Sequence, residues 1–141
     1  MEADLKPQSQ QLVCIVDDNE DIRDIYRLKF EQEGFLAVTA KDGEEGLRII
    51  KAERPDIILL DVEMPVLDGI GVLNILKADP DLAKIPVVIL SNIDSEDMFQ
   101  KVSDLGAAEY YLVKSLTDPQ KVVDITVKAL AEQGGEAEMP A

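Results

Sequence analysis

From Leu12 onward, short apolar runs alternate with longer stretches in which apolar residues recur at helical spacing. The apolar runs are rich in β-branched residues, and they predict strands at Leu12–Val16, Phe35–Ala40, Ile57–Leu60, Val87–Leu90 and Tyr110–Val113. The stretches that follow them predict helices at Asn19–Glu33, Gly43–Glu53, Gly69–Ala78, Ser95–Leu105 and Asp118–Ala131. Strands and helices in strict alternation predict βαβ units and an α/β fold.

The runs Ile57–Leu60 and Val87–Leu90 contain no polar residue. Strands of this composition are buried on both faces, as the central strands of a parallel sheet are. We therefore predict a doubly wound parallel sheet with helices on both faces. A chain of 141 residues suits one domain, which we expect over residues 11–131, between a flexible N-terminal segment at 1–10 and a flexible tail at 132–141.

The charge balance narrows the classes of partner. Asp and Glu number 29 against 14 Lys and Arg, which gives a net charge of −15. A field of this sign repels nucleic-acid phosphates and anionic lipid, so we expect no direct nucleic-acid binding and no membrane insertion. No apolar run approaches the ~20 residues that cross a bilayer, and we expect a cytoplasmic protein. The chain has no His, and its single Cys excludes an internal disulfide and multi-cysteine metal sites.

Polar side chains stand at the carboxyl ends of four predicted strands, where ligands of open parallel sheets bind. Strand one is followed by Asp17 and Asp18, strand three by Asp61, strand four by Ser91 and strand five by Lys114. Taken singly, each has an ordinary explanation, such as a helix cap, a turn or a solvated strand end. Taken together, they would bring three carboxylates, a hydroxyl and an ammonium group to one edge of the sheet.

Three carboxylates at one place repel one another unless a cation lies among them. Ligands that are all oxygen favour a hard ion such as Mg²⁺, and an ammonium and a hydroxyl beside it suit phosphoryl oxygens. The pattern therefore predicts phosphoryl transfer to an aspartate. Asp61 is the best nucleophile because it lies centrally, with the other groups on both sides. Asp17 and Asp18 would hold the metal, Lys114 would pair with the phosphoryl oxygens, and Ser91 would hydrogen-bond to one of them.

Several motifs, in register with the predicted strand ends, resemble the receiver domain of two-component response regulators, in its single-domain, chemotaxis-regulator-like form. The resemblance runs from about Gln11 to Leu130, and it rests on Val16–Asn19, Pro55–Asp61, Met64–Gly69, Ile85–Ser91 and Gly106–Lys114. It implies a flavodoxin-like fold with strand order 2-1-3-4-5. It also implies a signalling module rather than an enzyme with a separate substrate.

The resemblance further implies that a histidine kinase or phosphotransfer protein phosphorylates Asp61. Mg²⁺ would be held by Asp18, by Asp61, by the backbone carbonyl of Glu63, and by Asp17 through water. Small phosphodonors would also support self-phosphorylation, followed by autodephosphorylation.

Ser91 and Tyr111 match the two switch residues of the family. In that scheme the hydroxyl moves toward the phosphoryl group and the aromatic ring turns inward. The face formed by helix four, strand five and helix five then changes toward a downstream protein target. The resemblance is compatible with a monomer or a phosphorylation-dependent dimer.

Three positions depart from the family's usual pattern. In the family this Lys is usually followed by Pro, and the peptide bond between them is cis. Here Lys114 is followed by Ser115, and a cis peptide without proline costs ~3 kcal/mol. Asn92 stands after the switch hydroxyl, where a small residue is usual, and its side chain would crowd access to the phosphoryl group. Ile93 is apolar where many members are polar, which would exclude attacking water and lengthen the life of the phosphorylated state.

Two other classes of function use a similar fold. An aspartyl-phosphate hydrolase usually carries Asp-x-Asp at its nucleophile, whereas this chain has Asp61, Val62 and Glu63. A flavin-binding module needs a phosphate-cradling loop after strand one, and the four acidic residues within 17–21 would repel a phosphate there. Both alternatives stay open at this point, although the residues favour the signalling module.

The first predicted helix carries an apolar arc wider than packing on a sheet requires, formed by Ile22, Ile25, Tyr26, Leu28 and Phe30. We interpret this arc as a docking surface for the kinase and expect Ile22, in the first turn, to be partly exposed. The other interpretation is that Ile22 only fixes the start of the helix.

Overall fold

The computed structural model describes residues 11–62, 64, 67–91, 96–104, 110–113 and 118–134. The strands are β1 (Leu12–Val16), β2 (Leu36–Ala40), β3 (Ile57–Asp61), β4 (Val87–Ser91) and β5 (Tyr111–Val113). The helices are α1 (Glu20–Gln32), α2 (Gly43–Glu53), α3 (Gly69–Ala78), α4 (Glu96–Asp104) and α5 (Pro119–Gly134), and a short 3-10 helix lies at Leu82–Lys84. All strand pairs are parallel, in the order β2-β1-β3-β4-β5. The predicted fold class and strand order are confirmed.

Each strand divides its side chains between two cores because successive residues of a strand point to opposite faces of the sheet. In β1, Cys14 and Val16 belong to a core shared with α2 and α3, and Val13 and Ile15 belong to a core shared with α1 and α5. All residues of β3 and β4 are buried. The burial of these two strands on both faces is what their apolar runs predict.

Aspartate or asparagine caps begin the helices α1, α2 and α3, and Asp118 caps α5 in the same way, where its Oδ1 accepts from Lys121 N at 2.8 Å. Asn19 accepts a hydrogen bond from Ile22 N, Asp42 from Glu45 N, and Asp68 from Gly71 N, at 3.1, 2.8 and 2.9 Å. Each cap satisfies one of the free N–H groups at a helix start. The helices α1, α2 and α3 therefore begin at defined residues at the edge of the sheet where the strands end.

Some element boundaries differ from the prediction. Phe35 lies outside β2, because its N–H bonds to Phe30 O at 3.0 Å and its ring packs edge to face on the Phe30 ring, with centroids 5.3 Å apart. The strand pairing starts only at Leu36, whose N–H bonds to Gln11 O. At the other end of the chain, α5 runs to Gly134, three residues beyond the predicted end, and its Glu132 carboxylate accepts a hydrogen bond from the Tyr110 hydroxyl.

The apolar arc of α1 divides into two parts. Tyr26 and Phe30 are buried in the core against the sheet, whereas Ile25 and Leu28 are about half exposed, at 47% and 50%. Ile22 is half-buried against the same core, as expected for a partly exposed residue. Within the described part of the chain, no helix has the length and apolar character needed to span a membrane.

Candidate functional site

The carboxylates of Asp17, Asp18 and Asp61 meet where β1 and β3 end side by side. Val16 pairs with Leu60 across these strands, so the residues that follow them in the chain lie next to each other. One oxygen from each of the three carboxylates lies within 4.8 Å of the other two. Asp17 and Asp61 are buried, at 1% and 2% exposure, and Asp18 is exposed. The structure thus brings together the three acids that the sequence predicts for this site.

Hydrogen bonds hold both the main chain and the side chain of Asp17. Its N–H donates to Ala40 O of the neighbouring strand β2 at 3.1 Å, and its Oδ1 accepts from Asn19 N at 2.9 Å. Its carbonyl oxygen accepts from Nη1 of Arg23 on α1, also at 2.9 Å. Asp17 is therefore held by the sheet, by the turn and by the helix that follows the turn.

The electrostatics of this cluster favour a bound cation. Two unit negative charges about 5 Å apart repel by on the order of 3 kcal/mol at an effective dielectric constant of about 20, and one oxygen of each carboxylate here lies within 4.8 Å of the others. Burial of Asp17 and Asp61 removes much of the water that would otherwise screen them. Carboxylate oxygens are the preferred ligands of hard ions such as Mg²⁺ and Ca²⁺. The donor set therefore fits a divalent metal.

Ser91 lies on the opposite side of Asp61 from the acidic pair. β4 pairs with β3 so that Leu90 is the partner of Asp61, and Ser91 is the next residue, fully buried at the end of its strand. Ser91 in turn pairs with Val113, the last residue of β5. The structure therefore places a hydroxyl, as predicted, at the same edge of the sheet as the carboxylates.

Tyr111 lies at the start of β5, paired with Ile89, and is half-buried. Its ring packs edge to face on the ring of Phe99 from α4, with centroids 5.4 Å apart and planes at 81°. Phe99 is 45% exposed. This ring pair joins the predicted aromatic switch residue to α4.

The helix α3 begins against the backbone at the end of β3. Gly69 N donates to Val62 O at 2.9 Å, and a Cβ at Gly69 would lie 2.6 Å from the carbonyl oxygen of Asp61. Only glycine allows α3 to start this close to the strand. Gly69 stands in one of the sequence motifs, but the sequence alone predicts no role for it. The signal was the Asp-Gly pair at the start of a predicted helix.

Several residues named in the sequence lie outside the described residues: Lys114, Glu63, Asn92, Ile93 and Ser115. The roles expected for them stay predictions. The contact of Arg23 with Asp17 was missed altogether. A basic residue in the second turn of a helix, where the helix dipole disfavours positive charge, is the only sequence signal that could have suggested it.

Comparison with known families assigns the chain to a class. The model of the response regulator receiver domain matches residues 13–126, and the chain belongs to this family. It is a phosphoacceptor signalling module of two-component systems rather than a classical enzyme. The signalling interpretation of the sequence is confirmed over the hydrolase and flavin alternatives.

Two relatives show the extent of the similarity. The transcriptional regulatory protein PrrA of Mycobacterium tuberculosis is 41% identical over 125 residues, which cover 87% of this chain and 51% of PrrA. The alkaline phosphatase synthesis transcriptional regulatory protein PhoP of Bacillus subtilis is 37% identical over 122 residues, covering 84% of this chain and 47% of PhoP. The chain spans about half the length of the curated relatives it matches.

Solved structures agree with this assignment. The receiver domain of the Francisella response regulator 1452 superposes with a TM-score of 0.77 at 31% identity, over 88% of this chain and 98% of that one. The chemotaxis response regulator CheY4 of Vibrio cholerae superposes with a TM-score of 0.78 at 27% identity, over 85% of this chain and 98% of CheY4.

Proposed function

We propose that Asp61 is the phosphoacceptor and that the acidic cluster binds Mg²⁺ during its phosphorylation. The observation that carries this proposal is the meeting of the Asp17, Asp18 and Asp61 oxygens within 4.8 Å at the carboxyl edge of the sheet. Asp61 ends the central strand, with the acidic pair on one side and Ser91 on the other. Asp17 and Asp18 lack such a position, because β2, on the far side of β1, ends without a predicted phosphoryl-binding group.

Each residue has a separate part in this proposal. A carboxylate oxygen of Asp61 forms the new bond to phosphorus while the bond from phosphorus to the donor's leaving atom breaks. Ser91 donates to a phosphoryl oxygen, and the Lys114 ammonium pairs with another. Asp17, Asp18 and the backbone carbonyl of Glu63 complete the set that holds Mg²⁺ with Asp61. The bound ion supplies positive charge that offsets the negative charge gathered at the transferred group.

The phosphoryl donor is a histidine kinase or a phosphotransfer protein. The chain contains no His, so a phosphohistidine donor must be a different protein. We propose a cytoplasmic location, because phosphohistidine is formed from ATP and the cytoplasm supplies ATP. After phosphorylation, the ring of Tyr111 turns inward and the face of α4, β5 and α5 binds a downstream protein, with or without dimerisation.

Direct DNA contact by this chain is unfavourable, because its net charge of −15 repels the phosphate backbone. PrrA and PhoP are transcriptional regulators by name, and each is about twice as long as the stretch matched here. We propose that any DNA contact in the pathway is made by other parts of the protein or by its partners.

We also propose that the kinase docks on the exposed side of α1, next to the acidic pair. Ile25 and Leu28 are exposed there, and Ile22 is half-buried in the first turn. Ile22→Ala should slow phosphotransfer from a cognate kinase severalfold and leave labelling by acetyl phosphate unchanged. Equal slowing with both donors would show that Ile22 only supports the helix.

The phosphoacceptor assignment is tested by labelling with acetyl phosphate and Mg²⁺, read by intact-protein mass spectrometry. The wild-type chain should gain one phosphoryl group, and Asp61→Asn should gain none. Asp104→Asn is the matched control, because it removes one charge from α4, where Asp104 is exposed and accepts only from Gln100 within the described residues. Labelling of Asp61→Asn at the wild-type level would refute the proposal.

A further inference from the structure

The structure joins the basic side chain of Arg23 to the acidic pair. Its Nη1 donates to the carbonyl oxygen of Asp17 at 2.9 Å, and the residue is half-buried. The acceptor is the main chain immediately before Asp18. This bond therefore sets the orientation of the peptide plane that joins the two aspartates.

The stability of α1 does not account for this arginine. Positive charge near a helix N-terminus gains no stabilisation from the helix dipole, which opposes it. The first turn of α1 carries Glu20 and Asp21, which is the arrangement the dipole favours, and Lys29 stands in the last turn. Arg23 stands in the second turn, against this trend. Its side chain reaches back over the helix start to the β1–α1 turn.

The two aspartates depend on this bond to different degrees. Asp17 is buried and is also held through its N–H and its Oδ1. Asp18 is exposed, so packing does little to hold its carboxylate. A rotation of the peptide plane between them would move Asp18 first. Its oxygen would then leave the 4.8 Å cluster that it forms with Asp17 and Asp61.

We propose that Arg23 is a positioning residue for the metal site, which holds the Asp18 carboxylate within reach of an ion shared with Asp61. The inference rests on the proposed function, because it requires a divalent cation at these aspartates. Partners that orient metal ligands from outside the coordination sphere commonly change affinity by about 10- to 100-fold when they are removed. We expect a change at the lower end of this range because Arg23 acts through one peptide plane.

A purely electrostatic role would have the opposite effect. The guanidinium is a positive charge beside a cation site and repels the ion. If charge were all that mattered, its removal would tighten Mg²⁺ binding. If positioning dominates, its removal weakens binding. The direction of the change therefore separates the two roles.

The test measures the midpoint of Mg²⁺ binding, which is the Kd obtained by fitting the rise in melting temperature with Mg²⁺ concentration, at constant ionic strength, to RT ln(1 + [L]/Kd). Arg23→Gln should raise this midpoint about tenfold. Arg23→Lys keeps a donor and should lie between Arg23→Gln and the wild type. Arg27→Gln is the matched control: it removes the same charge from the next turn of α1, where Arg27 pairs with Asp24 and Glu31 at 3.5 and 3.3 Å. Its midpoint should stay at the wild-type value.

Labelling by acetyl phosphate gives a second measurement. Arg23→Gln should be labelled slowly at a low Mg²⁺ concentration and at the wild-type rate at saturation.

An Arg23→Gln midpoint equal to or below that of the wild type would overturn the inference, even if its melting temperature falls. If Arg23→Gln does not fold, a wild-type midpoint in Arg23→Lys together with a wild-type rate at low Mg²⁺ overturns it. If Mg²⁺ does not raise the melting temperature of the wild-type chain more than Na⁺ does at the same ionic strength, the proposed metal site itself is overturned, and the inference with it.

Discussion

At the scale of single residues, charged and reactive groups are buried where a purely structural core would hold apolar ones. Asp61 is buried at the end of a strand whose other four residues are apolar, and Asp17 is buried beside it. Carboxylates gathered at one buried place repel one another, and a bound cation would relieve this repulsion. We therefore expect the proposed metal to stabilise the folded protein.

Cys14 behaves differently, because its thiol is buried among apolar side chains. Burial raises the pKa of Cys14 from its ordinary value near 9 to about 12. Between these values the unfolded chain has lost the thiol proton and the folded protein keeps it. The unfolded state then binds fewer protons, so the free energy of unfolding falls as the pH rises, by ~1.4 kcal/mol per pH unit.

Urea unfolding at pH 8 and pH 10 tests this pH dependence. Cys14→Ala should be less stable than the wild type at pH 8, because it leaves a cavity in the core. At pH 10 the gap between the two proteins should shrink by ~1.4 kcal/mol, since only the wild type carries the ionisable thiol. A gap of the same size at both pH values would contradict the burial of this thiol.

At the scale of elements, α4 and β5 are joined by the edge-to-face contact of Phe99 with Tyr111. Such ring pairs contribute ~0.5–1.5 kcal/mol beyond their buried area. The proposed inward turn of the Tyr111 ring would break this contact. The ring pair therefore favours the arrangement described here over the switched one.

Phe99→Leu should shift the switch toward its phosphorylated form. Loss of ~0.5–1 kcal/mol should raise the rate of labelling by acetyl phosphate about two- to fivefold, because the switched arrangement becomes more populated. Phe99→Tyr keeps the ring and should label at the wild-type rate. Labelling of Phe99→Leu at the wild-type rate would show that the ring pair does not oppose the switch.

The sequence predicts elements best where burial alone decides them. The unbroken apolar runs of β3 and β4 indicate strands buried on both faces, and the polar residue after each run indicates the site. The apolar run that starts at Phe35 predicts this residue in β2, whereas its ring contact with Phe30 places it before the strand. The bond from Arg23 to Asp17 depends on the rotamer of a long side chain, which no spacing rule specifies.

At the scale of the whole molecule, the net charge of −15 complicates any experiment with cations. Any salt screens the general repulsion of an acidic protein and stabilises it. A site-specific metal adds a second effect, because it binds the folded state only and stabilises it by RT ln(1 + [L]/Kd). The two effects are separated by comparing ions at equal ionic strength.

We expect Mg²⁺ to raise the melting temperature by a few degrees more than Na⁺ at matched ionic strength. For a Kd of ~1 mM, ~10 mM Mg²⁺ contributes ~1.4 kcal/mol, which corresponds to a few degrees for a domain of this size. Asp61→Asn and Asp18→Asn should melt higher than the wild type without metal and respond less to Mg²⁺. Asp104→Asn should change neither quantity. An equal rise in melting temperature with Na⁺ would show that general screening explains the whole effect, and it would contradict a specific metal site.

The most direct test of the account locates the phosphoryl group in the unaltered protein. The wild-type chain is treated with acetyl phosphate, with and without Mg²⁺, and the modified residue is identified by tandem mass spectrometry of its peptides. We expect a single phosphoryl group on Asp61, formed only when Mg²⁺ is present. A phosphoryl group on Asp17 or Asp18, or equal labelling without a divalent metal, would contradict the assignment of Asp61 as the phosphoacceptor of a metal-dependent site.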